Sequence, residues 1–533
     1  MPDHGIIRGT EHGGVRWDTL PKRALAFTQL VAGDIEEIFT SKKHVVKENS
    51  ARAIACVRGA GGEGYFVKKY NRRGIAGFLR GKFGKSQARR EWRNLLEAKE
   101  KNLPVPEPVA FGAASEFEYL ATIEIPDAEP LIENLRARGS VPREEVTQLA
   151  EITAAMHEAG LVHRDLHLGN FLVSPGRDGL VLMDFHRARF RKNADRAAVA
   201  ADLGQMLYSL SLVGTDENCG QMLNEYVKIR GLAQSGLEDA SLVEARLWGD
   251  RHERSRAKRC LRNSSRFTVE SKGGRRIFCR KDFDIDLDKL IEEHRGIVKR
   301  GGDGLLKDSP KSKLTVHDSP GGGRLVVKRH GGAGLSRLLE ICTRGSRLGR
   351  EWVNANGLLA RGFKTPTPVA LVEVGPPWNR TSFLVSEFLR DARPLDEYLR
   401  EKFAGEPTTF SRGDKADTIC SLAGLIRRLH EKKIFHKDMK ANNILVREEE
   451  NGPSFFFLDL DRVRFDVGPA LGEIAAALAA LNAAVPNFIT LSDRMLFYRT
   501  YRGVERLDGG EKSIVREIVR RSIERNHFWR PKC

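Results

Sequence analysis

Two stretches of the chain carry an Asp, an Asn and a second Asp in the same order. In residues 161–190, Asp165 is followed five places on by Asn170, and Asp184 comes fourteen places later. In residues 434–465 the set returns as Asp438, Asn443 and Asp459, with the first two again five apart. Such a trio can do phosphoryl-transfer chemistry. The first Asp would take a hydroxyl proton, while the Asn and the second Asp would hold Mg2+ on a nucleotide's phosphates. Short apolar runs at 171–173 and 180–183 predict two strands, with the polar residues at their ends. A lone Asp is ordinarily a turn or cap residue. A set that occurs twice in one chain argues against that reading.

The upstream half of each repeat supplies partners. Lys68 and Lys328 end apolar β-type runs and lie 260 residues apart, and Glu91 and Glu351 keep the same offset. A strand lysine can reach the α- and β-phosphates, and a glutamate on the next helix can fix its direction. The competing reading is a snorkelling strand lysine and an exposed helix glutamate. Lys69 competes with Lys68, but it aligns with Arg329 rather than Lys328. Residues 59–64, GAGGEG, match a GxGxxG pattern but end four residues before Lys68, so they predict the turn into the third strand, as do Gly321, Gly322 and Gly323. A loop covering phosphates then falls at 48–52 and 308–311, neither rich in glycine, with Ser50, Ser309 or backbone amides as its contacts.

Positioning these groups needs a repeated order of elements. A helix is expected near 26–39, strands at 44–47, 53–57 and 65–68, and a helix at 86–101 ended by Pro104, Pro106 and Pro108. A strand at 118–125 and helices across 130–160 precede the Asp-bearing loop, and helix resumes near 194. The second copy follows from about 270. It carries extra residues in PPWNR (376–380) or GEPTTFSRGDK (405–415), since Asp165 and Asp438 are 273 apart. The repeat predicts two domains, 1–262 and 263–533.

The bulk numbers fit. A chain of 533 residues is too long for one core, and 41% hydrophobic with 30% charged residues is globular. The net charge of +18 favours an anionic partner or a solvated basic surface. Seven cysteines without a CxxC pair argue against a disulfide framework or zinc site and for a reducing compartment. No secretory signal is evident, and the apolar run 474–485 is too short to span a bilayer, so it predicts a buried helix. No aromatic and basic stacking motif supports nucleic-acid binding.

The words HRDLHLGNFLV with LMDFHRARF, and HKDMKANNILV with FLDLDRVRF, resemble those of the bacterial lipopolysaccharide core kinases. These are the Kdo-kinase and heptose-kinase group of the protein-kinase-like superfamily. The resemblance covers roughly residues 44–210 and 304–480. It implies an α+β fold of two tandem protein-kinase-like bilobal domains, each with a small β-rich N-lobe and a larger helical C-lobe. It further implies ATP and Mg2+, and as acceptor an anionic glycolipid, the lipopolysaccharide core, phosphorylated on an inner-core sugar hydroxyl. The expected setting is cytoplasmic, with peripheral contact at the inner face of the membrane. Asp165 and Asp438 would be the catalytic bases, and Lys68, Glu91, Lys328 and Glu351 the nucleotide-binding set. Asn170, Asp184, Asn443 and Asp459 would be the metal ligands.

Few residues separate Asp184 and Asp459 from the next helix, which leaves little room for a peptide-docking segment. Arg187, Arg189, Arg462 and Arg464 can grip an anionic acceptor or form a solvated edge. The copies also differ. His167 stands where the second has Lys440, and Asp202 can brace the first Asp-loop, with Glu473 the candidate substitute in the second. Two alternatives stay open: an atypical Ser/Thr or small-molecule kinase, and one active domain with the other as a regulatory or binding module.

Overall fold

The structure is a computed structural model that describes residues 5–31, 35–41, 44–48, 52–59, 61–72, 86–176, 178–192, 194–232, 235–309, 312–319, 321–331, 335–404, 409–450 and 452–525. It falls into two compact units, Met1–His252 and Glu253–Cys533. Each contains one seven-stranded antiparallel sheet followed by a helical lobe, and the two sheets have the same strand order.

In the first unit the strands are Ile7–His12, Val15–Thr19, Val45–Glu48, Arg52–Arg58, Gly64–Asn71, Pro108–Ala113 and Phe117–Ile123. By chain order they lie first, second, sixth, seventh, fifth, fourth, third. The strand Arg52–Arg58 alternates half-buried and buried positions, as period-2 side-chain direction requires. Ala53, Ala55 and Val57 enter a core with Trp17, Phe27, Tyr65 and Val67. Arg52, Ile54 and Cys56 face the other way. Because Arg52 pairs with Tyr70 and Ile54 with Lys68, these four share one face.

The helix Gln87–Glu100 starts where Ser86 accepts a hydrogen bond from the Arg89 amide at 3.2 Å. It buries Ala88, Glu91, Trp92, Leu95 and Leu96. In the second unit Ser346 caps the helix Arg347–Ala360 in the same way, accepting from the Gly349 amide at 2.9 Å.

The helical lobes hold the chemistry between short paired strands. In the first unit Leu161–Val162 pairs with Arg189–Phe190, and Phe171–Val173 with Val181–Leu182. In the second, Phe435–His436 pairs with Val463–Arg464, and Ile444–Glu449 with Gly452–Phe457. Each pair clamps an Asp-bearing loop at both ends. Behind them lie helices such as Arg143–Glu158 and Arg196–Ser211, or Thr409–Glu431 and Leu471–Ala484. The last of these contains the apolar run 474–485 but for Val485, its extended C-cap residue. Among the described residues no helix is long and apolar enough to cross a membrane.

Several elements differ from the sequence expectation. The hairpin Ile7–His12/Val15–Thr19 has no clear sequence signal, because only Val15, Trp17 and Thr19 of its second strand are buried. The strand Pro108–Ala113 begins on the last of three closely spaced prolines, Pro104, Pro106 and Pro108, which read as a helix stop and mask the strand. The expected helix at 26–39 is two helices, Ala24–Val31 and Ile35–Thr40. The extra length of the second copy is distributed. Lys68 pairs with Leu120 and Lys328 with Leu384, so four residues enter before that strand, in the PPWNR stretch. The remainder enters later.

Candidate active site

In both units the strand lysine meets the helix glutamate. Lys68 Nζ donates to Glu91 Oε1 at 2.6 Å, and Lys328 Nζ reaches both Glu351 oxygens at 2.9 Å. Lys69 points to the opposite face, where it pairs with Glu36 and lies 3.7 Å over the Phe117 ring. Strand alternation separates the two lysines. Burial alone would push Lys68 and Lys328 down, but the adjacent carboxylates, Glu91 with Asp184 and Glu351 with Asp459, hold both raised.

Both second Asp residues sit in the left-handed region, with φ of 68° at Asp184 and 52° at Asp459. Asp tolerates this conformation better than most residues. Burial pushes Asp184 up, yet His186, Lys68 and Arg52 hold its carboxyl far below the usual range. Lys328, 2.5 Å from Oδ1, lowers Asp459 against the opposing push of burial.

Each Asp-loop is fixed internally. Asn170 Nδ2 donates to the Asp165 carbonyl, and Asn443 Nδ2 to the Asp438 carbonyl, both at 2.8 Å. These bonds spend the amide nitrogens and leave the neutral amide oxygens suited to a cation. The His of each HRD or HKD word is buried, and its Nε2 meets the carbonyl just before the second Asp: His163 with Met183 at 3.0 Å, His436 with Leu458 at 2.9 Å. The first Asp, the Asn and the second Asp therefore form one connected piece. Among the described residues no group of three His, Cys, Asp or Glu could hold a metal unaided. A Mg2+ here would rest on one Asp, one Asn and phosphate oxygens, a donor set suited to that hard cation.

One pair of contributing residues has no place in the sequence reading. Asn94 Nδ2 donates to the carbonyls of Phe185 at 2.9 Å and Ala188 at 2.8 Å. Asn354 Nδ2 makes the equivalent bonds to Leu460 at 2.6 Å and Val463 at 3.2 Å. The glutamate-bearing helix is thereby tied to the segment after the second Asp in both units. The signal was present in the shared words EWRN and EWVN, three residues past each glutamate. Replacing Asn94 or Asn354 by Leu removes two hydrogen bonds of about 1 kcal/mol each. Roughly tenfold loss of kcat/KM for ATP in the affected unit is expected, read by steady-state kinetics.

The loop braces differ. Asp202, fully buried, accepts from the amides of His163 and Arg164, each at 2.7 Å. Ala477 occupies the same spacing from Asp459 that Asp202 has from Asp184. Glu473 does not substitute. It is half-exposed, accepts from the Ala470 amide at its own helix's N-cap at 3.1 Å, and holds Arg464 at 2.8 Å. Asp202→Ala leaves the buried His163 amide unpaired, at about 1–3 kcal/mol, and the part-buried Arg164 amide with it. Urea unfolding of the full chain should show the first unit's transition move to lower urea and the second's stay in place.

Other expectations resolve as follows. Gly62 has φ of 81° and donates to the Gly59 carbonyl at 2.9 Å, and Gly322 does likewise to Ser319 at 3.0 Å, so both glycine runs are hairpin turns. Ser309 Oγ closes its own turn, donating to the Ser312 carbonyl at 2.8 Å. Ser50 and Lys311 lie outside the described residues. His167 Nδ1 accepts from the Gly169 amide at 3.1 Å, whereas Lys440 Nζ sits 2.9 Å from Asp438 Oδ1. Arg187 approaches Asp165 at 3.8 Å.

A sheet lobe carrying a Lys–Glu pair over a helical lobe carrying an Asp-loop and a left-handed Asp defines each unit as protein-kinase-like, in an α+β chain with two such bilobal units. The profile of the lipopolysaccharide kinase (Kdo/WaaP) family matches residues 36–226 and 337–473, more than half of the chain. The chain belongs to this family.

It is 47% identical over 108 residues to the 3-deoxy-D-manno-octulosonic acid kinase of Mannheimia succiniciproducens, covering 20% of this chain and 41% of that protein. It is 29% identical over 176 residues to the lipopolysaccharide core heptose(I) kinase WaaP of Pseudomonas aeruginosa, covering 29% of this chain and 65% of that one. A 142-residue match, 28% identical, joins it to ribosomal protein S6 kinase 2 alpha of Xenopus laevis, over 26% of this chain and 18% of the kinase. Each of these matches spans less than two thirds of the relative. A solved structure described as WaaP in complex with acyl carrier protein is 24% identical, covering 42% of this chain and 97% of that chain at a TM-score of 0.32.

Proposed function

We propose that the chain transfers the γ-phosphate of ATP to a sugar hydroxyl of the lipopolysaccharide inner core, on Kdo or heptose. The observation that carries this reading is the duplicated constellation: the Lys–Glu pair, the Asp-loop and the left-handed Asp recur with the same hydrogen bonds in a member of this family.

Lys68 and Lys328, aimed by Glu91 and Glu351, hold the α- and β-phosphates. Asp165 and Asp438 orient the acceptor hydroxyl and take its proton as the oxygen bonds to the γ-phosphorus and the bond to ADP breaks. Mg2+, resting on Asn170 with Asp184 and on Asn443 with Asp459, would supply charge neutralisation at the phosphates. The first set serves domain 1–262 and the second domain 263–533. Arg187, exposed and near Asp165, is suited to an anionic acceptor. The net charge of +18 suits peripheral contact with an anionic membrane surface.

The test is labelled phosphate transfer from ATP to purified core glycolipid by the full chain. Transfer to the glycolipid is expected. Transfer only to Ser or Thr of protein would replace the acceptor assignment with a protein-kinase one.

A further inference from the structure

The two clefts differ in their resident cations. In the first, Arg52 forks onto Asp184, Nη1 to Oδ1 at 3.2 Å and Nη2 to Oδ2 at 3.1 Å. His186 Nδ1 sits 2.5 Å from Asp184 Oδ1. Arg52 shares the cleft face with Lys68 and Tyr70, and the Tyr70 hydroxyl donates to Glu91. Two cations, Lys68 and Arg52, thus stand against two carboxylates, Glu91 and Asp184.

In the second cleft the position of Arg52 is Ser312, and that of Tyr70 is His330. Lys328 alone bridges Glu351 and Asp459. The nearby Arg347 is matched by its own partner, Asp461, at 3.2 Å. Arg347 and Lys307 also act on Asp459 from a distance, but among the described residues Lys328 is the one cation within ion-pair distance of its carboxylate.

We propose that Arg52 is a phosphate-positioning residue that lets the first cleft bind ATP without a divalent metal, whereas the second requires one. This rests on the nucleotide-cleft reading above. A magnesium ion held by the second Asp would supply positive charge between that carboxylate and the phosphates. A guanidinium can bridge the two in its place. It is planar and permanently charged, and it carries five N–H donors in a fork that fits carboxylate and phosphate alike. Arg52 is already held on Asp184, so the bridge costs little reordering. Ser312 carries no charge and cannot make it.

The experiment is equilibrium binding of a fluorescent ATP analogue to the full chain, read as equivalents bound. Wild type is expected to bind two equivalents in Mg2+ and one in excess EDTA. Arg52→Gln should bind two in Mg2+, which also reports that both clefts are folded, and none in EDTA. No binding by wild type in EDTA, two equivalents in EDTA, or an EDTA-resistant equivalent that survives Arg52→Gln would each overturn the inference. Loss of the first equivalent of Arg52→Gln in Mg2+ would overturn it too, because Arg52 would then serve nucleotide in general. No binding by wild type even in Mg2+ would instead defeat the functional reading, and this inference with it.

Discussion

The double substitution Asp165→Asn, Asp438→Asn should lower phosphate transfer from ATP by roughly 10²–10⁴-fold, the range a positioned general base supplies. The change is nearly isosteric, and the loop is built to survive it. Asn443 Nδ2 holds the Asp438 carbonyl at 2.8 Å and lies 3.3 Å from its Oδ2, an oxygen the amide can still present. The buried His436 remains fixed to the Leu458 carbonyl. In the first unit Asp202 still accepts from the amides of His163 and Arg164. Folding and nucleotide binding should therefore persist while proton acceptance is lost.

The single substitutions separate the units. If both clefts act, each removes one component of the transfer. If one domain is regulatory, one of the two singles will be silent. Transfer by the double mutant at the wild-type rate would remove both residues from the catalytic role.

The second large effect is Lys328→Met, which should cost more stability than Lys68→Met. Breaking a buried pair by deleting one partner typically costs about 3–5 kcal/mol, because the other charge stays buried and unpaired. Lys328 serves two carboxylates, Glu351 at 2.9 Å and Asp459 at 2.5 Å. Burial already pushes Glu351 up, and Lys328 only partly offsets it. Without the lysine, two facing carboxylates repel. Lys68→Met orphans only Glu91, which keeps the Tyr70 hydroxyl, while Arg52 keeps Asp184.

The pH dependence has a defined sign. Asp459 has a depressed folded pKa, so its contribution is present above the unfolded carboxylate value, about 3.9, and is lost as pH falls through the folded one. In Lys328→Met, protonation of one carboxylate relieves the repulsion, so the deficit relative to wild type should shrink as pH falls from 7 towards 4. Urea unfolding of the full chain at several pH values measures this. Equal costs for the two substitutions, or a deficit that grows on acidification, would contradict the assignment of Lys328 as the bridging cation.

The repeated order of elements could be read from the chain because the organising residues are local words at fixed offsets. Lys68 and Lys328 stand at the ends of apolar runs, and the repeat's alignment, which sets Lys69 against Arg329, is enough to choose Lys68 over Lys69. The glycine runs could be read as turns from their distance to the lysine alone. What could not be read depends on pairing across the fold. Arg52 closes the loop expected over the phosphates at 48–52, but only the packing of sheet on helical lobe brings its guanidinium to Asp184, 132 residues later. Asn94 and Asn354 are polar residues inside helices, and only their carbonyl partners in the other lobe explain them. Glu473 was a candidate brace by chain position, but its helix turns it outward and Ala477 inward. The N-terminal hairpins were missed because each gains its burial from a distant strand, Val15–Thr19 from Pro108–Ala113 and Arg275–Arg280 from Pro368–Val374.

The most direct measurement is the mass spectrum of the lipid A–core glycolipid after incubation with ATP, Mg2+ and either the wild-type chain or Asp165→Asn, Asp438→Asn. The account predicts added phosphate on core sugar with the wild type and none above background with the double mutant. An unchanged glycolipid mass with a wild-type chain that binds and turns over ATP would contradict it.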